Sequence, residues 1–299
     1  MKILYILITV LIFANIIFGP LVRATDSGLA CPDWPLCHGK FIPEYSFQIA
    51  MEVGHRFYSG AIGILIFWGF LWIFFTNSLK SLRLLATLSI FFLGTQVTLG
   101  ALTVTKLLDP ATVNLHLLNA VLLLAICLTI SMRITWHSDS INFKKFTLSS
   151  IWSPGVRYLS FLVFLVGFQL YMGGRVSSHY SGMACPDFPT CYGEWFPEMV
   201  GTIRYQMEHR WVGYLLALSI LFAPLYVAGT QASLRVKYYV WTSTVLVFVQ
   251  IAIGAMNVLH FLPNFLTAIH TAVGVLIFLT IYMATLYSVY DPVDKGKDI

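Results

Sequence analysis

The chain has 299 residues, 58% of them hydrophobic and only 10% charged, and its mean hydropathy is +0.78. So little charge excludes a soluble globular domain and predicts a polytopic membrane protein. The net charge of +5 lies in short connecting segments with no basic soluble surface, which excludes nucleic-acid binding and leaves membrane orientation as its meaning.

Apolar runs occupy residues 3–22, 49–76, 84–104, 111–132, 157–174, 205–229, 236–259 and 265–289. Each is long enough to cross a hydrocarbon core of about 30 Å. They predict an all-α integral membrane protein with eight transmembrane helices. The first run follows Lys2 and has the look of a signal peptide. Residues 3–18 correspond, however, to 157–172 later in the chain, where no signal peptide sits, so a true helix is expected.

The connection 23–47 carries Cys31 and Cys37, and the second helix opens with Glu52, His55 and Arg56 in its first turns. The third helix carries Gln96 and Gly100, and the fourth begins with His116. The segment 133–156 is the longest polar stretch between helices. Beyond it the connection 175–203 holds Cys185 and Cys191, followed by His209, Arg210, Gln250, Gly254 and His270 on successive helices. The tail Asp291–Ile299 is charged and expected to be loose.

This order is a repeat. Ser27–Glu44 reads SGLACPDWPLCHGKFIPE and Ser181–Glu198 reads SGMACPDFPTCYGEWFPE, identical at 11 of 18 positions at an offset of 154. The offset holds without a gap, so that Gln96, Gly100 and His116 fall on Gln250, Gly254 and His270. The expected organisation is two tandem four-helix bundles, 1–140 and 157–299, joined by a cytoplasmic linker at 141–156. An even number of spans per half makes the halves parallel repeats. With the N-terminus inside, inner segments hold eleven Lys and Arg against five in outer ones. Both termini are therefore expected in the cytoplasm and the cysteine loops on the outer face.

His55, His116, His209 and His270 all lie in the first turns of helices running from outside to inside, at matched depth. Two such histidines in one four-helix unit suit the axial ligation of a haem iron from both sides. Ordinary interfacial histidine is the bland alternative, but four at two repeated positions, inside spans where ionisable groups are costly, favour ligation. A bare copper or zinc ion would want more ligands. His38, His137, His179 and His260 have no histidine at the repeat-equivalent position and are expected in loops or at interfaces. Cys127, matched by Ile281, is expected to pack.

Each cysteine pair is close enough in sequence for a disulfide, Cys31–Cys37 and Cys185–Cys191, in a compartment that allows oxidation. A loop staple and a redox-active pair both remain open. The halves differ at one telling place. Glu52 precedes His55 by three residues and shares its helix face, whereas its equivalent is Gln206. A carboxylate can relay protons or stabilise a cation, so the first half is expected to be catalytic and the second to hold an electron-relay haem. Glu208, beside His209, points about 100° away. Arg56 and Arg210 follow their histidines and can meet haem propionates or snorkel to headgroups.

Eight helices in two halves, one histidine in each even helix, the glutamate before the first histidine and the two CPDxPxC loops together resemble haem A synthase, in particular bacterial members with a cysteine pair in each half. The resemblance covers nearly the whole chain. It implies oxidation of the C8 methyl of haem O to a formyl group by successive hydroxylations, in support of cytochrome oxidase assembly. It also implies that His55 and His116 hold the substrate haem O, that Glu52 is required for activity, and that His209 and His270 ligate a haem b in the C-terminal half. Oxygen from O2 or water and an electron donor outside the chain are needed, and a membrane-bound hydrophobic substrate suits hand-over from haem O synthase. The sequence leaves open a homo-oligomer; lipid is its only implied surrounding. Rival readings are a bis-histidine dihaem cytochrome b that only passes electrons, a membrane thiol–disulfide oxidoreductase, for which a C-x5-C spacing is a weak signature, and a haem exporter or chaperone.

Overall fold

The computed structural model describes residues 1–138, 152–230 and 232–290. Among them are eight long apolar helices: α1 (Lys2–Ala24), α2 (Phe47–Phe75), α3 (Arg83–Thr105), α4 (Pro110–Ser138), α5 (Pro154–Ser178), α6 (Gly201–Ala228), α7 (Leu234–Leu259) and α8 (Asn264–Tyr290). A 3-10 turn, Asn77–Leu82, joins α2 to α3. The shortest of these helices has 23 residues and the longest 29, which at 1.5 Å per residue spans roughly 35–44 Å. The protein is an all-α, eight-span membrane protein. The linker expected at 141–156 is described only from residue 152, and the charged tail from Asp291 to Ile299 lies outside the described residues.

Helix starts follow local chemistry. The Ser46 hydroxyl accepts from the Ile49 amide at 3.2 Å, an Asp109 carboxylate oxygen from the Thr112 amide at 3.0 Å, and the Ser233 hydroxyl from the Val236 amide at 3.4 Å, each satisfying an otherwise orphaned donor. Pro110 and Pro154 stand first in their helices, where the missing N–H costs nothing. Helix α6 starts at Gly201, four residues before the apolar run. Its first turns carry Arg204, Gln206 and Glu208, which hydropathy discounts and a helix accepts.

Contacts divide the chain into two compact units. The first comprises Met1–His137, Ser177–Tyr180 and Leu262–Ala272; the second comprises the described parts of Ser138–Val176, Ser181–Phe261 and Val273–Ile299. In the first, α1 packs along α2 and α2 along α3. Tyr58 donates to the Leu11 carbonyl at 3.3 Å and the Asn119 amide to the Phe92 carbonyl at 2.9 Å, which tie α2 to α1 and α4 to α3. In the second, α6 packs along α7, and Tyr158 of α5 donates to the Ser219 carbonyl of α6 at 2.6 Å. Lipid offers no hydrophobic drive between helices, so close packing and such polar stitches hold them together. Large apolar side chains such as Ile64, Phe75, Leu84, Phe91, Phe164 and Leu225 are exposed, a surface that suits lipid and not water.

Both cysteine pairs form the expected disulfides, with Cα–Cα distances of 4.7 and 4.8 Å. The two loops share one local conformation. Cys37 and Lys40 exchange backbone hydrogen bonds of 3.0 Å, and Cys191 and Glu194 do so at 2.9 and 3.1 Å. The Trp34–Pro35 and Phe188–Pro189 peptides are cis, and Gly39 and Gly193 have φ of +71° and +80°, the region that favours glycine. The aspartate of each CPDxPxC motif caps its loop from within. Asp33 accepts from the His38 and Gly39 amides at 2.6 and 2.8 Å. Asp187 accepts from the Tyr192 and Gly193 amides at 2.7 and 2.9 Å and from the Thr190 hydroxyl at 2.8 Å. The Gly39 amide holds the Asp33 carboxyl below its ordinary range. Burial pushes the Asp187 carboxyl up, but the hydrogen bonds from Gly193, Thr190 and Tyr192 prevail and bring it to about 2.

A carboxyl depressed in the folded loop stabilises it above the ordinary value of 3.8 and loses that contribution as pH falls toward about 2. Reduction of Cys185–Cys191 by a phosphine, followed by alkylation and mass analysis, is therefore expected to stay slow from pH 7 to about 4 and to accelerate below it. Asp187→Ala is expected to show the faster rate already at neutral pH. A pH-independent rate in the wild type contradicts the cap.

Candidate functional site

Helix α2 carries Glu52, His55 and Arg56 into the first unit, where α4 brings His116. Both histidines are half-buried, and His55 lies within electrostatic reach of His116. Phe18 of α1 meets the His55 ring edge-on, with centroids 5.3 Å apart. The His116 Nε2 accepts from the Gln96 amide nitrogen at 3.2 Å, while the Gln96 oxygen accepts from Asn119 at 2.7 Å. This chain of bonds sets the His116 ring. A Cβ added at Gly100 would lie 3.2 Å from His116 Cε1, so any larger residue there crowds the ring. The Nδ1 atoms of His55 and His116 are buried without a hydrogen-bond partner.

Glu52 is only 5% exposed. Its Oε2 accepts from the Cys31 amide at 2.9 Å and its Oε1 from Arg56 Nη2 at 2.5 Å. Arg56 Nη1 donates in turn to the Asp33 and Leu36 carbonyls at 3.0 and 2.7 Å. Sequence pointed to propionates or headgroups as partners of Arg56; in the structure its guanidinium joins Glu52 to the disulfide loop. At the equivalent place in the second half, Gln206 is buried and its Oε1 has no hydrogen-bond partner. Arg210 donates to the Cys185 carbonyl at 3.0 Å and to the Thr190 carbonyl, and lies over the Phe188 ring. Both arginines anchor a loop, and only the first also holds a carboxylate.

In the second unit, His209 of α6 is half-buried. Gln169 of α5 donates to its carbonyl at 3.0 Å and lies 3.2 Å from its Nδ1. Gly173 cradles its ring as Gly100 cradles His116, with a would-be Cβ 3.2 Å from Cε1. Glu208 is clamped by Arg175 at 2.5 Å and Arg204 at 2.7 Å, an ion cluster that sequence did not anticipate. His270 sits on α8 within Leu262–Ala272, the stretch that groups with the first unit. His38 and His179 lie in loops and His260 caps α7; the His137 side chain lies outside the description. Cys127 is buried and unbonded to another cysteine. Gln169 and Asn119 carry no signal beyond polarity, whereas the two loop aspartates, Asp33 and Asp187, recur in the CPDxPxC motif. Gly19 and Gly173 also carry a signal, since they recur at the repeat offset.

Among the described residues no three His, Cys, Asp or Glu converge as for a bare metal ion. In the first unit the donors are the imidazoles of His55 and His116, beside Phe18 and the Gly100 cradle, a set that would suit a haem better than a bare metal ion.

The buried ion pair makes a separate expectation. Removing one partner leaves an uncompensated buried charge, so Arg56→Ala is expected to cost about 3 kcal/mol, read from chemical unfolding in detergent. Glu52→Gln should cost clearly less, because Arg56 keeps both loop carbonyls, as Arg210 does beside Gln206. Equal stability of Arg56→Ala and wild type contradicts the anchor.

The chain matches the family described as cytochrome oxidase assembly protein, COX15-CtaA, over residues 2–50 and 42–282. It is 27% identical over 315 residues to the haem A synthase of Shewanella oneidensis, covering 89% of this chain and 90% of that protein. It is 30% identical over 278 residues to the haem A synthase of Lysinibacillus sphaericus, covering 90% and 89%. It is also 30% identical over 259 residues to that of Bacillus mycoides, covering 80% and 78%. The chain belongs to the COX15-CtaA family of cytochrome oxidase assembly proteins.

Proposed function

We propose that this protein is a haem A synthase, a membrane oxidoreductase that converts haem O to haem A by oxidising the C8 methyl to a formyl group. Relatives of that name along most of the chain support the reaction. The observation that carries the assignment of chemistry to the N-terminal half is the contrast between Glu52, buried and charged through Arg56, and the neutral Gln206. His55 and His116 hold the substrate haem O, with Gly100 leaving room for the His116 ring. Glu52 shares the face of α2 that carries His55, so its carboxylate would relay protons or stabilise positive charge developing on the oxidised carbon. The Cys31 amide and Arg56 hold that carboxylate in place.

His209 and His270 form the second site, a pairing supported by the sequence repeat, and they bind haem b in the C-terminal half. Haem b, when bound there, supplies a one-electron relay. Two successive hydroxylations of the methyl and loss of water from the resulting gem-diol complete the reaction; each hydroxylation takes either O2 with two electrons from a donor outside the chain, or water with two electrons removed to an acceptor outside the chain. The cysteine loops face outward and the termini lie in the cytoplasm, in line with the lysine and arginine bias. The disulfides, buried at all four cysteines, serve as staples of the two loops, the first of which anchors Glu52 and the second Arg210.

Expression in a host that makes haem O, followed by haem extraction and mass analysis, tests this. Haem A or its hydroxylated precursor is expected from the wild type. Glu52→Ala should accumulate haem O, with turnover lowered by about 100-fold or more. Gly100→Val, which drives a side chain into the His116 ring, should lose substrate haem while keeping the second. Only unmodified haem in the wild type, with haem O and reductant present, returns the protein to an electron-transfer cytochrome.

A further inference from the structure

We propose that Gln169 is a positioning residue that tethers the His209 imidazole, and that its replacement by Asn15 in the first half leaves His55 the more readily released ligand. The inference rests on the paired-histidine reading above and deepens it.

Asn15 and Gln169 occupy equivalent positions of the repeat, as do Ser59 and Gly213. The two pairs have changed together. In the second unit a Cβ at Gly213 would lie 3.0 Å from Gln169 Nε2, so the glycine makes room for the long side chain. Through that gap Gln169 reaches both the His209 carbonyl, at 3.0 Å, and the ring at Nδ1, at 3.2 Å. In the first unit a hydroxyl fills the gap. Ser59 donates to the His55 carbonyl at 2.7 Å, and the Asn15 amide, one methylene shorter, stops at the Ser59 oxygen at 2.9 Å. Both halves thus satisfy the histidine carbonyl, but only the second reaches the imidazole. The Nδ1 of His55 is buried without a hydrogen-bond partner.

A histidine that ligates through Nε2 carries its proton on Nδ1, and a partner there fixes the ring and raises its basicity. The contact at the His209 Nδ1 is made by the Gln169 amide nitrogen, a donor; to accept that proton the amide turns over and presents Oε1, which is buried without a hydrogen-bond partner, in exchange for its bond to the His209 carbonyl. His209 therefore has an outer-shell partner on its ring and His55 has none. An iron held by two histidines has no vacant position until one lets go. Between these two equivalent ligands, the difference places the easier release at His55, in the half proposed to turn over.

The experiment uses the haem-loaded full chain, reduced, with carbon monoxide as the probe, because carbon monoxide binds only where a histidine has left. In the wild type, the first-half haem is expected to react and the second-half haem to resist. Gln169→Leu removes the tether, and Gly213→Ala pushes it aside while leaving Gln169 present. Each should make the second haem react about tenfold faster or more, with the resting bis-histidine spectrum retained. Asn15→Gln combined with Ser59→Gly should slow the first haem by a similar factor. Carbon monoxide reactivity within roughly twofold of wild type in both Gln169→Leu and Gly213→Ala overturns the tether alone. A loaded wild type without any bis-histidine spectrum overturns the paired-histidine reading and this inference with it. Should Gln169→Leu fail to assemble, Gly213→Ala decides.

Discussion

A carboxylate buried near a membrane surface must be paired, and the Glu52–Arg56 ion pair is the contact around which the first unit's site is arranged. Glu52 stands at the start of α2 because the helix begins early, at Phe47, under the Ser46 cap. One of its oxygens is taken by the Cys31 amide and the other by Arg56, whose remaining bonds reach two carbonyls of the same loop. The disulfide and the Asp33 cap make that loop a stiff partner. A buried pair of this kind contributes little net stability over apolar packing, since desolvation offsets the attraction. What it supplies is a fixed charge at a defined place, one turn from His55.

The second half keeps the loop and the arginine but not the charge. Arg210 finds loop carbonyls and the Phe188 ring, and its neighbour is an amide. The half's nearby carboxylate is Glu208, which Arg175 and Arg204 neutralise. A charge balanced by two guanidinium groups is poorly placed to act on a neighbouring reaction. The halves thus share a frame that positions histidines and differ in the polar groups around those histidines.

The eight spans, the paired disulfides and the four repeated histidines were legible in the sequence. Hydropathy over twenty residues reports lipid exposure directly, because the bilayer leaves a segment no polar choice. A gapless repeat turns single residues into pairs, which is how His55, His116, His209 and His270 separate from His38, His137, His179 and His260. The difference between Glu52 and Gln206 was legible on the same ground.

Which groups those residues touch was decided only by tertiary structure. Nothing in the linear pattern says that Arg56 turns to loop carbonyls, that Asp33 and Asp187 close their loops from within, or that Gly213 opens a path for Gln169 to His209. Hydrogen bonds between helices depend on rotation and depth to within about an ångström, and hydropathy carries neither. The sequence by itself determined the elements, their repeat and the chemistry available to them. The packing of α1 on α2 and of α5 on α6 decided which histidine ring has a polar partner and which has none, because reach across a helix interface changes with a single methylene.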